Sequence, residues 1–187
     1  MREIKSHLTL LLLALAPGLG CSTDSRTPAT EPASEAPVAP LPTVYFKDLA
    51  PFLPDALDGF TPGGMEGSTG KYGEVSISEA ERTFLRGEDR EVKVRIVDTT
   101  LGGKIAKSIR AAAEDAKRRP ESDPTAPIFW DAAVGFVRYD PSEATAEANL
   151  LVGDRYVVAV TSRGFPGTVE VRRVARGIDL AGLARLR

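Results

Sequence analysis

Val92-Lys93-Val94-Arg95-Ile96 decides the fold class. Strict alternation of β-branched and charged residues is the pattern of a strand with one face buried and the other wet. Upstream, residues 74–86 alternate well enough for a long partner strand, with Val75 and Ile77 on one face. Ala80 and Phe84 fall on the other parity, which implies a register change between the two pairs. Gly87-Glu88-Asp89-Arg90 supplies the turn that makes the pair a hairpin.

Working outward, Gly102-Gly103 ends the hairpin, and Lys104 to Arg118 sets Ile105, Ile109, Ala112 and Ala116 on one side of an amphipathic surface helix. Residues 119–127, with prolines at 120, 124 and 127, close it. Three strands are expected next, over 128–139, 145–152 and 155–162, with Gly153-Asp154 as the tight turn of the last hairpin. Val169 to Arg176 reads as a helix stopped by Gly177, and Asp179 can cap a final short helix over 180–186. Ahead of the first hairpin, Pro51 and Pro54 limit residues 45–57 to short helical turns, and Pro62 to Gly73 reads as a glycine-rich loop. The expected fold is α+β: an antiparallel sheet of about five to six strands with two main helices packed on one face.

The N-terminal part is organised differently. Arg2 and Lys5 precede an almost unbroken apolar run, Leu8 to Ala16, and the small residues of Gly18-Leu19-Gly20 lead into Cys21, the one cysteine of the chain. Such a segment is a secretory signal, and it resembles the leader of bacterial lipoprotein precursors. That resemblance implies cleavage between Gly20 and Cys21 and acylation of Cys21. Gly18 stands where a lipobox carries Leu, Val or Ile, so ordinary signal cleavage with a free thiol remains the alternative. Ser22, in place of Asp after the cysteine, implies by the same resemblance an outer-membrane destination. From Ser22 to Thr43 the chain is rich in Pro, Ala, Ser and Thr, too poor in apolar residues to offset the entropy of ordering. It reads as a semi-stiff tether of about 3 Å per residue where extended. Three regions follow: leader 1–20, lipidated cysteine and tether 21–43, and one globular domain 44–187.

Composition narrows the chemistry. The 187 residues carry 24 Lys+Arg and 26 Asp+Glu; loss of Arg2, Glu3 and Lys5 with the leader leaves a net charge of −3. So mild a value argues against nucleic acid as a partner. The only histidine, His7, lies in the leader. A processed chain has no imidazole for Ser-His-Asp or Cys-His catalysis, for a histidine zinc site or for a pH switch. A single cysteine rules out an intramolecular disulfide. No cofactor or metal is expected.

Gly67-Ser68-Thr69-Gly70-Lys71 looks like a phosphate loop but fails as one, since Met65 stands where glycine is needed and Tyr72 where Ser or Thr is needed. The carboxylate groups Glu79/Glu81, Glu88/Asp89/Glu91, Glu114/Asp115 and Glu121/Asp123 lack the spacing of a calcium loop and read as solvated surface. Trp130 and Tyr139 are candidates for a ligand groove; of the adjacent Phe129 and Trp130, only one can enter the core from a regular strand. Arg172, Arg173 and Arg176 belong to a C-terminal stretch, residues 163–187, of net charge +4, and form a candidate partner surface for phosphates, lipid headgroups or an acidic protein.

In the order of its elements the domain is similar to the small α/β sandwiches of PsbP-type photosystem accessory proteins and of some envelope lipoproteins; this likeness carries no functional residue across. The expected protein is a non-catalytic binding or accessory module of the cell envelope, held at the membrane through its lipid anchor and facing a protein or envelope component. The alternatives are a hydrolase using carboxylates or a Ser/Lys pair near Trp130, and a secreted protein without an anchor.

Overall fold

The computed structural model describes residues 42–187, so the leader, Gly20, Cys21 and the tether up to Leu41 lie outside the described residues. The elements run α1 (Phe46–Leu49, continued by a 3-10 turn Ala50–Phe52), β1 (Thr61–Tyr72), β2 (Val75–Arg86), β3 (Arg90–Thr99), α2 (Gly102–Lys117), β4 (Thr125–Trp130), β5 (Ala133–Asp140), β6 (Thr145–Val152), β7 (Tyr156–Arg163), α3 (Val169–Arg176) and α4 (Leu180–Arg185). All seven strands join one sheet in the order β1-β2-β3-β7-β6-β5-β4, and every pairing is antiparallel.

The expectation of five to six strands with two helices on one face is therefore corrected. One added strand is β1, the stretch read as a glycine-rich loop. Eleven of its twelve residues are exposed, so it shows none of the burial alternation that announces a strand; it is held by ladder pairing with β2 from Thr61↔Leu85 to Tyr72↔Val75. The other comes from residues 128–139, which are not one strand but two, β4 and β5, folded at Asp131-Ala132. That turn lacks the Gly or Asn that usually marks one, and an apolar run on either side hides it.

Alternation places the core. Val92, Val94 and Ile96 of β3 point inward, as do Ala80 and Phe84 of β2, Val158 and Val160 of β7, and Ala148 and Leu150 of β6. Leu49 of α1, Val171 and Val174 of α3, and Leu180 and Leu183 of α4 cover this face and share its core. Helix α2 lies on the opposite face: its Ala106 and Ile109 pack on Leu151, with Val134 and Val157 beside them. Leu150 and Leu151 are consecutive in one strand and so must enter opposite faces. The helices thus divide between two faces because β6 is apolar on both. Its interior stripe in α2 is Ala106, Ile109, Ala113 and Ala116, which turns Ile105 to the flank.

No register change occurs in β2. Its pairing with β3 runs unbroken from Arg86↔Arg90 to Ile77↔Thr99; Val75 and Ile77 lie on the α2 side and Ser78, Ala80 and Phe84 on the core side. The irregularity sits in β1, between Pro62 and Met65. Gly135 is required where β5 crosses the core: a Cβ there would collide with the Asn149 carbonyl of β6. Gly153 and Asp154 both have positive φ, 55° and 59°, as a tight turn requires, but Arg155 joins them, so three residues separate β6 from β7, which begins at Tyr156 rather than 155.

Candidate functional site

The segment arriving from residue 41 is stitched to the sheet at every second residue. The Pro42 carbonyl accepts from the Arg155 guanidinium at 2.8 Å, the Val44 N–H donates to Asp98 Oδ2 at 2.8 Å, and the Phe46 N–H donates to Thr69 Oγ1 at 2.9 Å. Thr69 in turn shares a 2.8 Å hydrogen bond with the buried Ser78. Thr69, Ser78 and Asp98 are cross-strand neighbours on β1, β2 and β3, so one row of the sheet carries the seat. The Phe46 ring lies against Gly67, where any side chain would displace it.

Asp98 is the centre of this seat. It is 2 % exposed, and Arg155 binds it through Nε at 3.1 Å and a terminal nitrogen at 2.7 Å. A buried carboxylate is tolerated only when paired and fully hydrogen-bonded, and here two guanidinium nitrogens and one backbone N–H serve it. The same hydrogen bonds hold the Arg155 guanidinium above its ordinary value. Neither residue was singled out from the sequence. A signal existed: Asp98 continues the inward parity of Val92, Val94 and Ile96, and a charge at a core position calls for a partner.

Trp130 and Tyr139 do not form one groove. Both pack against the edge of the core, but Trp130 pairs with Ala133 while Tyr139 lies six residues along β5, about 20 Å away at the strand spacing. Trp130 is half-buried under the Arg176 guanidinium, 5.3 Å from the ring centroid. Phe129 points to the α2 side, half-exposed, with Lys117 above it at 5.4 Å.

The three arginines of the candidate partner surface are engaged one by one. Arg172 reaches the Pro127 carbonyl of β4 at 3.4 Å, and burial, then the charge of Arg176, holds its guanidinium below the usual arginine range. Arg173 pairs with Glu170 one turn back, and Arg176 sits on Trp130. Arg172 and Arg176 thus fasten α3 to β4, while Arg173 is held on its own helix.

Beside Trp130 the depression is lined by Phe129, Asp131, Asp154 and Arg110. Asp131 and Asp154 are exposed, and Arg110 binds Asp154. An acid/base pair of carboxyls needs one of the two desolvated, which this open surface does not provide. Elsewhere Glu79 and Glu81 pair with Arg95 and Lys93 across β2 and β3, and Asp115 and Asp123 flank Arg119. The Arg119 hydrogen bond and charge lower the Asp115 carboxyl below its usual range. Among the described residues, no three His, Cys, Asp or Glu side chains gather around one point.

No family model, curated protein or solved structure matches the chain. What the described domain does show is an incoming chain fixed at one end of the sheet by Asp98, Arg155 and Thr69.

Proposed function

We propose that this protein is a lipid-anchored module of the bacterial envelope: Cys21 carries the acyl chains, residues 22–43 form the tether, and the folded part is a non-catalytic binding or accessory domain. The observation that carries this reading is the position of Cys21, directly behind the apolar run Leu8 to Ala16 and ahead of the proline-rich stretch. Stable anchoring takes two acyl chains, each buried methylene contributing about 0.8 kcal/mol. The stitching of Pro42, Val44 and Phe46 suits such an arrangement, since a domain on a tether needs a fixed point at which the tether ends. Ser22 favours the outer membrane as the destination. The paired carboxylates around Glu79, Asp115 and Asp154 favour a binding module over a carboxylate hydrolase.

Metabolic labelling with an alkyne fatty acid in the native host tests the proposal. The wild-type chain is expected to take up label and sediment with membranes, and Cys21→Ser to lose both properties. An unlabelled wild-type chain in the soluble fraction would instead support the secreted, unanchored protein.

A further inference from the structure

The α2 face of the sheet changes character row by row. One cross-strand row runs Ser68, Glu79, Val97, Val157, Leu151, Val134, Phe129, crossing all seven strands. Helix α2 covers Leu151 and Val134 and reaches Val157 with its flank. Beyond that flank Val97 is only half-buried, although the row is still apolar there. Ile77, in the adjoining row, extends the open apolar floor. Leu101 and Ile105 at the start of α2 make one wall. Tyr72 makes the other: its ring folds back over Gly70, 3.2 Å from where a Cβ would stand, and it is 70 % exposed. The result is a trough of about 450 Å³.

The next row of the same face is charged. Glu81 and Arg95 are cross-strand partners, and Glu79 closes the trough where it meets them. Arg95 pairs with Glu79 and lies 4.0 Å from Glu81, which Lys93 also meets at 3.4 Å. Of the charged side chains, only Glu79 and Arg95 line the trough itself, and they pair with each other, so its lining carries no net charge while offering both donors and acceptors.

Size and charge together select an occupant. About ten residues line the trough, fewer than the roughly 20–30 that a protein partner engages on each side, and its volume falls in the small-molecule range of about 300–1,000 Å³. A β-branched floor between an aliphatic wall and an aromatic wall favours an alkyl body, at about 0.8 kcal/mol per buried methylene. A charged head would have to displace one member of an existing ion pair; an uncharged head need not. We infer that the trough binds a single aliphatic chain carrying an uncharged hydroxyl- or ester-bearing head, with the chain on Ile77, Val97 and Val157 and the head at Glu79 and Arg95. The inference does not depend on acylation of Cys21.

The test uses the full chain with Cys21→Ser, which has no acyl group of its own, titrated with 1-decanoylglycerol below its critical aggregation concentration and followed by calorimetry. One saturable site is expected. Leu101→Glu and Tyr72→Ala, both at exposed rim positions, should weaken binding at least tenfold while the circular dichroism melt stays that of the parent. Should Leu101→Glu fail to fold, Tyr72→Ala carries the comparison by itself. Decanoate should bind at least tenfold more weakly than decanoylglycerol, and Glu79→Gln, by releasing Arg95, should narrow that gap. Absence of saturable binding, binding indifferent to both rim substitutions, or equal affinity for decanoate would each overturn the inference.

Discussion

Arg155 grips Asp98 through two of its nitrogens and spans onward to the Pro42 carbonyl, so one guanidinium joins β3, the β6–β7 turn and the incoming chain. Asp98 is buried and the Arg155 side chain is 19 % exposed, which places the pair between a surface bridge and a core bridge in its energetics. Removing one partner leaves the other desolvated and uncompensated. Asp98→Asn is expected to lower stability by about 2–3 kcal/mol, below the range for fully buried pairs because Arg155 retains some water. Urea unfolding measures the loss, and hydrogen exchange at the Val44 and Phe46 amides should accelerate beyond the global effect, because Asp98 and its neighbours in the row hold both.

Tyr156 adds a pH dependence at the same end of the sheet. Its ring is 1 % exposed and its hydroxyl donates to the Leu186 carbonyl at 3.0 Å. Burial, acting against the nearby Arg155 charge, raises the phenol above its ordinary value. A raised phenol holds its proton more tightly in the folded state. Its contribution is therefore complete below the unfolded value of about 10 and is lost as pH rises through the folded one. Tyr156→Phe is expected to cost about 1 kcal/mol at neutral pH for the missing hydrogen bond. It should also flatten the fall in denaturation midpoint above about pH 10.

Gly135 tests the close approach of β5 and β6. Gly135→Ala drives a methyl group against the Asn149 carbonyl in a paired, buried ladder, where neither strand can shift freely. A loss of about 1–3 kcal/mol or more is expected from overpacking, read as a lower thermal midpoint. Gly73→Ala, at an open hairpin turn with φ of 62°, tests strain without a clash, and should cost less.

The contact between Trp130 and Arg176 can be followed directly, because the chain has a single tryptophan. Arg176→Ala is expected to shift the emission of Trp130 to longer wavelength as water reaches the ring. The stability cost should be about 0.5–1 kcal/mol, the size of a partly exposed cation–π contact.

Strands β2, β3, β6 and β7 and helices α2, α3 and α4 were legible because each carries a period or a cap of its own. The parity of Val92, Val94 and Ile96 is one such signal, and the Asp179 side chain accepting the Gly182 N–H at 2.8 Å is another. Strand β1 was not legible: residues 61–72 form a strand because β2 offers a full-length edge, not because their own side chains demand burial. The side on which each helix packs was also hidden, since it depends on Leu150 and Leu151 being apolar in succession and on which helix reaches each first. At the candidate site, Trp130 and Arg176 were singled out for different surfaces and prove to touch. Asp98 and Arg155 are hard to read in the sequence because a charged residue at a strand end looks like a loop residue until its parity is followed inward.

The most direct test of the anchoring proposal is the mass of the N-terminal peptide of the mature protein, purified from native membranes. The expected product is a chain beginning at Cys21 whose first residue carries acyl mass on its sulfur. A mature chain that begins at Cys21 with a free thiol, or one that retains residues 1–20, would contradict it.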